Sequence, residues 1–529
     1  MVKPRWVRSA IRGAGPNHAR GSAKPLLELT CAAAQSAKLA PATDQVNTSP
    51  ESMQLLGPGR QSAYLVGICG SGMRALAELL TDSGWSISGR DPECSTEDRR
   101  RLERLGIQID SPQGRPRLEV PTTLMIHSVA VPTSDPARQH ARSMNLTDLS
   151  YPEFVGQLQR IRPAFCIAGT HGKSTTTALT AWLMKELGHR PGVLVGAEFR
   201  EMQRSGWDAG GGPLVVESCE YQRSFLNYHP RAAAILSVEA DHFDCYPTTE
   251  ELQSAFQSFA ALIPRGGRLV TVGTEVLEID WNSHTAADVV HVGEEGVGGP
   301  WSWSFDRLKL TNSGLEFRIL REGRVWSQAR LLPGPRHNAL NALVALALCD
   351  FHGPLERVED RVRATEALAS FPGLHRRFEV TQGGRNQILI DDYAHHPTAL
   401  TATIAAARAL FPGRRVLGVF QPHQMSRTVA LLPEFARSLA NLDKCFLTPV
   451  FAAREFAKPE ERAALTAKLE HAVLGWGTPC ETVFALDPIP RSLDDSFREG
   501  DLLLTLGAGN ISRLHDAFIQ RFRRDHPTG

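Results

Sequence analysis

The stretch Ile167-Ala168-Gly169-Thr170-His171-Gly172-Lys173-Ser174-Thr175-Thr176-Thr177 decides how the rest of the chain is read. The apolar run Phe165 to Ala168 reads as a strand end, the glycines as a tight turn, and the residues after Thr175 as the start of a helix. A lysine between a glycine turn and a helix start is an arrangement that holds phosphate. Backbone N–H groups at the helix N-terminus take phosphate oxygens, the lysine neutralises the terminal phosphates, and the following hydroxyl can ligate Mg²⁺. The expected ligand is ATP, contacted by Gly169, Thr170, His171, Gly172, Lys173, Ser174 and Thr175. The general phosphate-loop pattern has a glycine five residues before Gly172; Ile167 stands there, so this loop is a shortened variant.

With 529 residues the chain exceeds one ordinary core and predicts about three domains. A formal net charge of +1 gives no global field toward nucleic acid or a membrane surface, so small or acidic ligands must be met locally. Nine cysteines, with no close pair and an odd total, suit a reducing compartment; they read as buried thiols and argue against a disulfide scaffold or a thiolate zinc site. No apolar run approaches the ~20 residues that span a bilayer. A cytoplasmic protein without stable membrane association is expected, as a monomer or weak homodimer. Residues 1–60 carry Arg5, Arg8, Arg12 and Arg20 among Ala, Ser and Pro, with few acids. They read as a disordered basic extension; a targeting peptide, or translated sequence upstream of a start at Met53, has the same composition.

The pattern turns regular at Tyr64-Leu65-Val66, followed by Gly67-Ile68-Cys69-Gly70-Ser71-Gly72 and an apolar helix from Met73 to Leu80. A second strand, Trp85 to Ser88, runs into Gly89-Arg90-Asp91, which sets an acid where a ribose-facing carboxylate sits in a nucleotide-binding βαβ unit. This domain, over 61–160, is expected to be Rossmann-like. Its glycine spacing departs from the dinucleotide fingerprint and points to a diphosphate rather than a nicotinamide cofactor. The strand Thr123 to Ser128 would bring its polar end to the same crevice.

A second α/β unit, over 161–371, carries the phosphate loop and the strands Leu214-Val215-Val216 and Ala233-Ala234-Ile235-Leu236, each ending in acids. Ser174, Glu217 and a residue of the cluster Glu239, Asp241, His242, Asp244 would bracket the phosphates with Mg²⁺, since hard cations take carboxylate, hydroxyl and phosphate oxygens. Asn338 and Asn341 have the i, i+3 spacing that puts both amides on one helix face, fit for an adenine edge; an ordinary asparagine N-cap is the plainer reading of Asn338. A third unit, over 372–529, has strands Gln387 to Ile390, Arg415 to Phe420 and Asp501 to Leu506. The run Asp391-Asp392-Tyr393-Ala394-His395-His396-Pro397 follows the first of these.

Together these segments resemble the Mur ligase family of ATP-dependent amide-forming ligases over nearly all of residues 62–520. The resemblance rests on Gly169 to Ser174, the His337-Asn338 to Asn341 helix, Phe371-Pro372-Gly373 leading to Arg376-Arg377-Phe378-Glu379, and Asp391 to Pro397, in the family's order. It implies three α/β domains: a Rossmann-like UDP-sugar domain, a phosphate-loop ATP domain and a Rossmann-like C-terminal domain that carries the amine substrate. It implies UDP-sugar contacts at Gly70, Ser71, Gly72, Met73, Asp91 and Ser128, completion of the ATP site by Arg376, Asp391 and His395, and a metal set of Ser174, Glu217 and His242. Catalysis would rest on Lys173, Glu217 and His242, with no general base assigned.

Within the family, the Gly67 to Met73 loop, Ser88 to Asp91, His127 to Pro132 and Phe420 to Thr428 resemble the branch that adds L-alanine to the lactyl carboxylate of UDP-N-acetylmuramate. Ile68-Cys69 and Asp391 to Ala394 lean toward the sister branch, which joins murein tripeptide to the same sugar. Cys219 and Gln222 stand where relatives commonly carry aspartates, which favours Glu217 over its neighbours and keeps open a non-catalytic UDP-sugar sensor. Ligases adding later residues use a carbamylated lysine near the second Mg²⁺; this chain has no lysine between Lys185 and Lys309 to supply one. A folate or other polyglutamate ligase fits less well, because its first domain should lack a UDP-binding glycine loop.

Overall fold

Strands buried on both faces need helices on both sides, and the apolar runs of this chain are arranged in three such sheets. The computed structural model describes residues 61–525 except 112–115, 117, 119–121, 123, 274, 275 and 277. The basic extension over 1–60 with Met53, and Thr123, lie outside the described residues.

The first sheet is parallel throughout, in the order β3-β2-β1-β4-β5: β1 (Ser62–Val66), β2 (Ser86–Arg90), β3 (Gln108–Ile109), β4 (Leu124–His127) and β5 (Thr147–Ser150). The strand order reverses between β1 and β4, and a crevice for ligand opens at such a switch point. Helix α1 (Ser71–Asp82) follows the glycine loop, and α2 (Thr96–Arg104) is capped by Ser95, whose side chain accepts the Asp98 N–H.

The central sheet has ten strands in the order β15-β14-β13-β12-β11-β10-β6-β9-β7-β8. These are β6 (Ala164–Ala168), β7 (Gly192–Phe199), β8 (Arg204–Asp208), β9 (Leu214–Glu217), β10 (Ala232–Ile235), β11 (Arg268–Val272), β12 (Asp288–Glu294), β13 (Trp303–Thr311), β14 (Gly314–Arg321) and β15 (Arg324–Leu331). Its middle is parallel, while β8, β14 and β15 join antiparallel. Two helices pack here: α3 (Lys173–Glu186), opening on the phosphate-loop lysine, and α4 (His337–His352), buried continuously from Asn341 to Asp350. A helix apolar on all sides belongs inside, and α4 lies in the core with α3.

The third sheet runs β16-β17-β21-β18-β19-β20: β16 (Glu379–Gln382), β17 (Ile388–Asp392), β18 (Val416–Phe420), β19 (Lys444–Leu447), β20 (Cys480–Thr482) and β21 (Leu502–Leu506). Helices α5 (Pro397–Leu410) and α6 (Met425–Ala430) lead from β17 and β18.

Helix α1 docks the first domain on β7 and β8 of the central sheet. Gly206 is required there, because a Cβ at that position would lie 2.0 Å from the Ala75 carbonyl oxygen. The buried Glu78 accepts the N–H groups of both Ser205 and Gly206 at 2.8 Å and faces Arg101 at 3.2 Å. Arg204–Asp82 at 2.9 Å and Ser83–Asp208 at 2.8 Å flank this seam.

The expectation that the cysteines are buried thiols needs correction. Cys69 and Cys94 form a disulfide, because the loops after β1 and β2 leave adjacent parallel strands side by side, a proximity invisible in a spacing of 25 residues. Cys219 is exposed and Cys245 and Cys480 partly so; Cys166, Cys349 and Cys445 are buried thiols as expected.

Candidate active site

Strand β6 delivers Gly169 and Gly172 in positive-φ conformations, at 132° and 78°. Glycine is needed at both. A Cβ on Gly169 would meet the Leu236 and Ser237 nitrogens at 2.9 Å, and one on Gly172 would meet Asn341 Oδ1 at 2.9 Å. The loop is pinned to the segment after β10: Thr170 N–H donates to Ser237 O at 3.0 Å, His171 N–H to Ser237 Oγ at 2.9 Å, and Thr170 Oγ1 to Glu239 O at 3.1 Å. Close pinning of the backbone replaces what a longer glycine loop would supply.

Lys173 Nζ donates to Gly169 O at 2.5 Å and to both Glu220 oxygens at 3.0 and 3.1 Å. His242 Nε2 approaches the same carboxylate at 3.4 Å. Burial alone would raise the Glu220 carboxyl, but the Lys173 charge and then His242 outweigh it and hold it at about 2, against an ordinary 4.5. Glu220 is thus the anion on which Lys173 and His242 converge. The sequence reading passed it over, because its neighbours Cys219 and Gln222 depart from the family pattern.

A group with a lowered carboxyl pKa contributes stability above its unfolded value and loses it as pH falls through the folded one. From about pH 4.5 toward 2, the wild type should therefore lose melting temperature more steeply than Glu220→Gln. Calorimetric scans of both proteins check this; parallel curves would remove Glu220 from the account.

Of the expected metal set, Ser174 and Glu217 meet at 3.0 Å, and Glu217 also accepts the Gly196 N–H at 2.6 Å. His242 points instead to Glu220. Asn338 and Asn341 share one face as expected, with Asn341 Nδ2 donating to Asn338 Oδ1 at 3.1 Å. The N-cap of α4 is Arg336, without a side-chain cap bond, so Asn338 is not a capping residue.

These groups line a cleft of about 1030 Å³ between the central and C-terminal sheets, with Thr170 to Thr175, Glu217, His242, Asn338, Asn341 and His395 on its walls. Arg376 and Asp391 are not on its walls, though Arg376 stacks on Tyr393, which is. Side chains alternate along β17, so Asp391 turns to Thr505 Oγ1 at 2.7 Å and Arg376 at 3.7 Å, while Asp392 lines the cleft. Arg376 donates to Gly507 O at 2.6 Å; its neighbour Arg377 crosses to Ser174 Oγ at 2.9 Å.

The C-terminal side adds a second missed pair. Arg427 on α6 binds Asp241 through Nε at 2.7 Å and Nη2 at 2.6 Å, with side chains only 2% and 6% exposed. Burial would raise Asp241, yet Arg427 beside it keeps the carboxyl far below its usual range. His395, 5.9 Å from the His423 ring, is held well below its ordinary value by burial and then by the Arg427 charge, so it is a neutral imidazole. Thr398 Oγ1 donates to Glu239 at 2.8 Å, and His396 lies 3.7 Å from the same carboxylate. The C-terminal domain is closed onto the phosphate loop.

In the first domain, Gly70 and Ser71 are exposed at the N-terminus of α1. Met73 is buried in the core, so what it can offer a ligand is its backbone. Asp91 accepts the N–H groups of Cys69 and Glu93 at 3.0 Å each, and Ser128 Oγ accepts that of Ala130 at 3.3 Å. Tyr151 lies over Gly72, where a Cβ would come within 3.3 Å of its ring. Burial, and then the charges of Glu217 and Cys219, raise its phenol above its ordinary value.

Family profiles match the chain in three consecutive parts: "Mur ligase family, catalytic domain" over 62–162, "Mur ligase middle domain" over 167–349 and "Mur ligase, glutamate ligase domain" over 376–509. A protein of Clostridium kluyveri called UDP-N-acetylmuramate--L-alanine ligase is 31% identical over 465 residues, covering 87% of this chain and 98% of its own length. The chain belongs to the Mur ligase family. A ligase of the same description from Desulfitobacterium hafniense is 32% identical over 464 residues, covering 86% and 99%. The crystal structure of UDP-N-acetylmuramate-alanine ligase from Thermotoga maritima superposes with a TM-score of 0.71 at 25% identity, covering 88% of this chain and all of that one. A murein peptide ligase from Psychrobacter arcticus shares the fold, with a TM-score of 0.63 at 22% identity. Mur ligases are ATP-dependent, and ATP is the nucleotide of this chain. Among the described residues no helix is long and apolar enough to cross a membrane.

Proposed function

We propose that this Mur ligase joins L-alanine to the lactyl carboxylate of UDP-N-acetylmuramate at the expense of ATP. The observation that carries the reading is the cleft itself, where the phosphate-loop Lys173 of one domain faces Arg377 and His395 of the next, with the Arg427–Asp241 pair joining the two. The lactyl carboxylate attacks the γ-phosphorus, the bond from γ-phosphorus to the β,γ-bridging oxygen breaks, and ADP leaves. An acyl phosphate remains. The amine then adds to its carbonyl carbon and displaces phosphate, leaving an amide.

Lys173 supplies fixed positive charge to the phosphoryl group, and preorganised charge of this kind lowers a barrier without reorganising when charge shifts. The Ser174 hydroxyl and Glu217 carboxylate, 3.0 Å apart, are hard oxygen donors that suit Mg²⁺, with His242 able to join them by turning from Glu220. That ion would screen charge between the β- and γ-phosphates. Asn338 and Asn341 are placed for the adenine. Gly70, Ser71, Gly72, Asp91 and Ser128 would hold the UDP-sugar, and Tyr151 would fix its distance from Glu217. Arg427 would meet the carboxylate of the amino acid. Dependence on ATP and a UDP-sugar supports a cytoplasmic site of action.

The test is phosphate release by the purified protein with Mg-ATP and UDP-N-acetylmuramate, with either L-alanine or murein tripeptide. Turnover with alanine is expected. Turnover with the tripeptide alone would assign the recycling branch, and silence with both would leave a sensor.

A further inference from the structure

Spacing along the chain argues against a thiolate metal site, yet folding assembles three ligand types that the sequence keeps apart. Cys219 Sγ, a Glu220 carboxylate oxygen and a His242 ring nitrogen all lie within 4.8 Å of one another. Cys219 and Glu220 leave the carboxyl end of β9, and His242 leaves that of β10 on the other side of β6.

We infer that Cys219, Glu220 and His242 form a site for a thiophilic divalent cation of the zinc type. This donor set differs from the oxygen pair of Ser174 and Glu217 placed above for Mg²⁺. Thiolate, imidazole and carboxylate with one open position is a recurrent zinc arrangement, whereas magnesium takes oxygen and does not use sulfur. The spacing agrees: nitrogen and oxygen ligands at about 2.1 Å from a tetrahedral zinc lie about 3.4 Å apart, and His242 Nε2 and Glu220 Oε1 are 3.4 Å apart. The sulfur lies within 4.8 Å of both, and the exposure of Cys219 leaves it room to close on them. His242 Nδ1 is buried without a hydrogen-bond partner, so the ring is oriented through Nε2, the nitrogen that faces the site beside Glu220.

Loading is a ligand exchange. The cation sheds water, the Cys219 S–H proton passes to solvent, and an S–M bond forms with no change of oxidation state. Glu220 is also the resting partner of Lys173, at 3.0 and 3.1 Å. A dication on Glu220 therefore expels the ammonium from its resting place and removes His242 from the magnesium set. A bound zinc-type ion opposes the ATP reaction.

The test is Cd²⁺ titration of the full-length protein after chelator treatment and removal of the chelator, following thiolate-to-metal charge-transfer absorption. This readout needs no turnover, so its failure is separate from failure of the ligase reading. The wild type should show one band saturating near one equivalent. Cys219→Ser should lose the band and weaken competing Zn²⁺ at least about 100-fold, more than loss of an outer-shell partner costs. Cys245→Ser and Cys480→Ser, the partly exposed thiols among the described residues, should keep it. His242→Ala should weaken binding without abolishing the sulfur signal. A flat titration of the wild type, or an undiminished band in Cys219→Ser, would overturn the site. If phosphate release is measurable, zinc inhibition should be relieved in Cys219→Ser; equal inhibition of both proteins would remove the link to Lys173.

Discussion

Alanine in place of Lys173 should lower phosphate release by at least about 10³-fold while leaving UDP-sugar binding intact, because preorganised cations at a transferring phosphoryl group contribute on that scale. The lysine is not a loose surface charge. Its ammonium is held by Gly169 O, Thr170 O and the buried Glu220 at the mouth of α3, so it meets phosphate from a fixed position. The substitution has a second consequence, an unpaired carboxylate in a buried place, which destabilises independently of catalysis. Lys173→Ala combined with Glu220→Gln separates the two: the double variant should recover melting temperature but not turnover. UDP-N-acetylmuramate binding, measured by calorimetry without ATP, should be unchanged in both. A single variant that turns over within tenfold of wild type would remove Lys173 from the chemistry.

Arg427→Ala should lower kcat/KM for the amine by about 10²-fold or more, with the loss mainly in KM. Removing one member of a buried ion pair costs about 3–5 kcal/mol, because the other charge remains without a partner. Here the orphan would be Asp241, 6% exposed, on the central domain, while Arg427 belongs to the C-terminal one. The energy is therefore lost from the closed arrangement and not from either domain's own core. Arg427→Lys should recover little, since one ammonium cannot reproduce the Nε and Nη2 contacts to Asp241. Saturation kinetics with L-alanine at fixed ATP and UDP-sugar decide it; a variant with unaltered KM would show that closure does not depend on this pair.

The phosphate loop, the glycine loop and the strands leading into them were legible because local chemistry sets them: glycines where the backbone needs positive φ, a lysine at a helix start, apolar runs where strands are buried. The antiparallel strands β13 to β15, which widen the central sheet to ten, passed unnoticed, having no turn beside a ligand to mark them. Within the site the sequence named neighbourhoods better than side chains. Asp391 and Asp392 are adjacent in sequence and opposite in direction, and only the pairing of β17 with β21 settles which one faces the cleft. Arg376 lies at φ 58°, and it is Arg377 that reaches Ser174. Glu220 was hidden by its flanks, and the Cys69–Cys94 pair by a separation that two adjacent strands erase.

The seam around Glu78 bears on the order of events. Two backbone N–H groups given to Glu78, the Arg101–Glu198 pair and the close approach of Gly206 to Ala75 hold the first domain to the central one. On the proposed reading, acid and phosphate donor are thereby carried on one frame, with Tyr151 against its glycine loop. The amine rides on the other. A molecule so divided favours a queue: nucleotide and sugar can take their places with the third domain apart, and the activated acid is shielded from water only when the last domain swings in with its passenger.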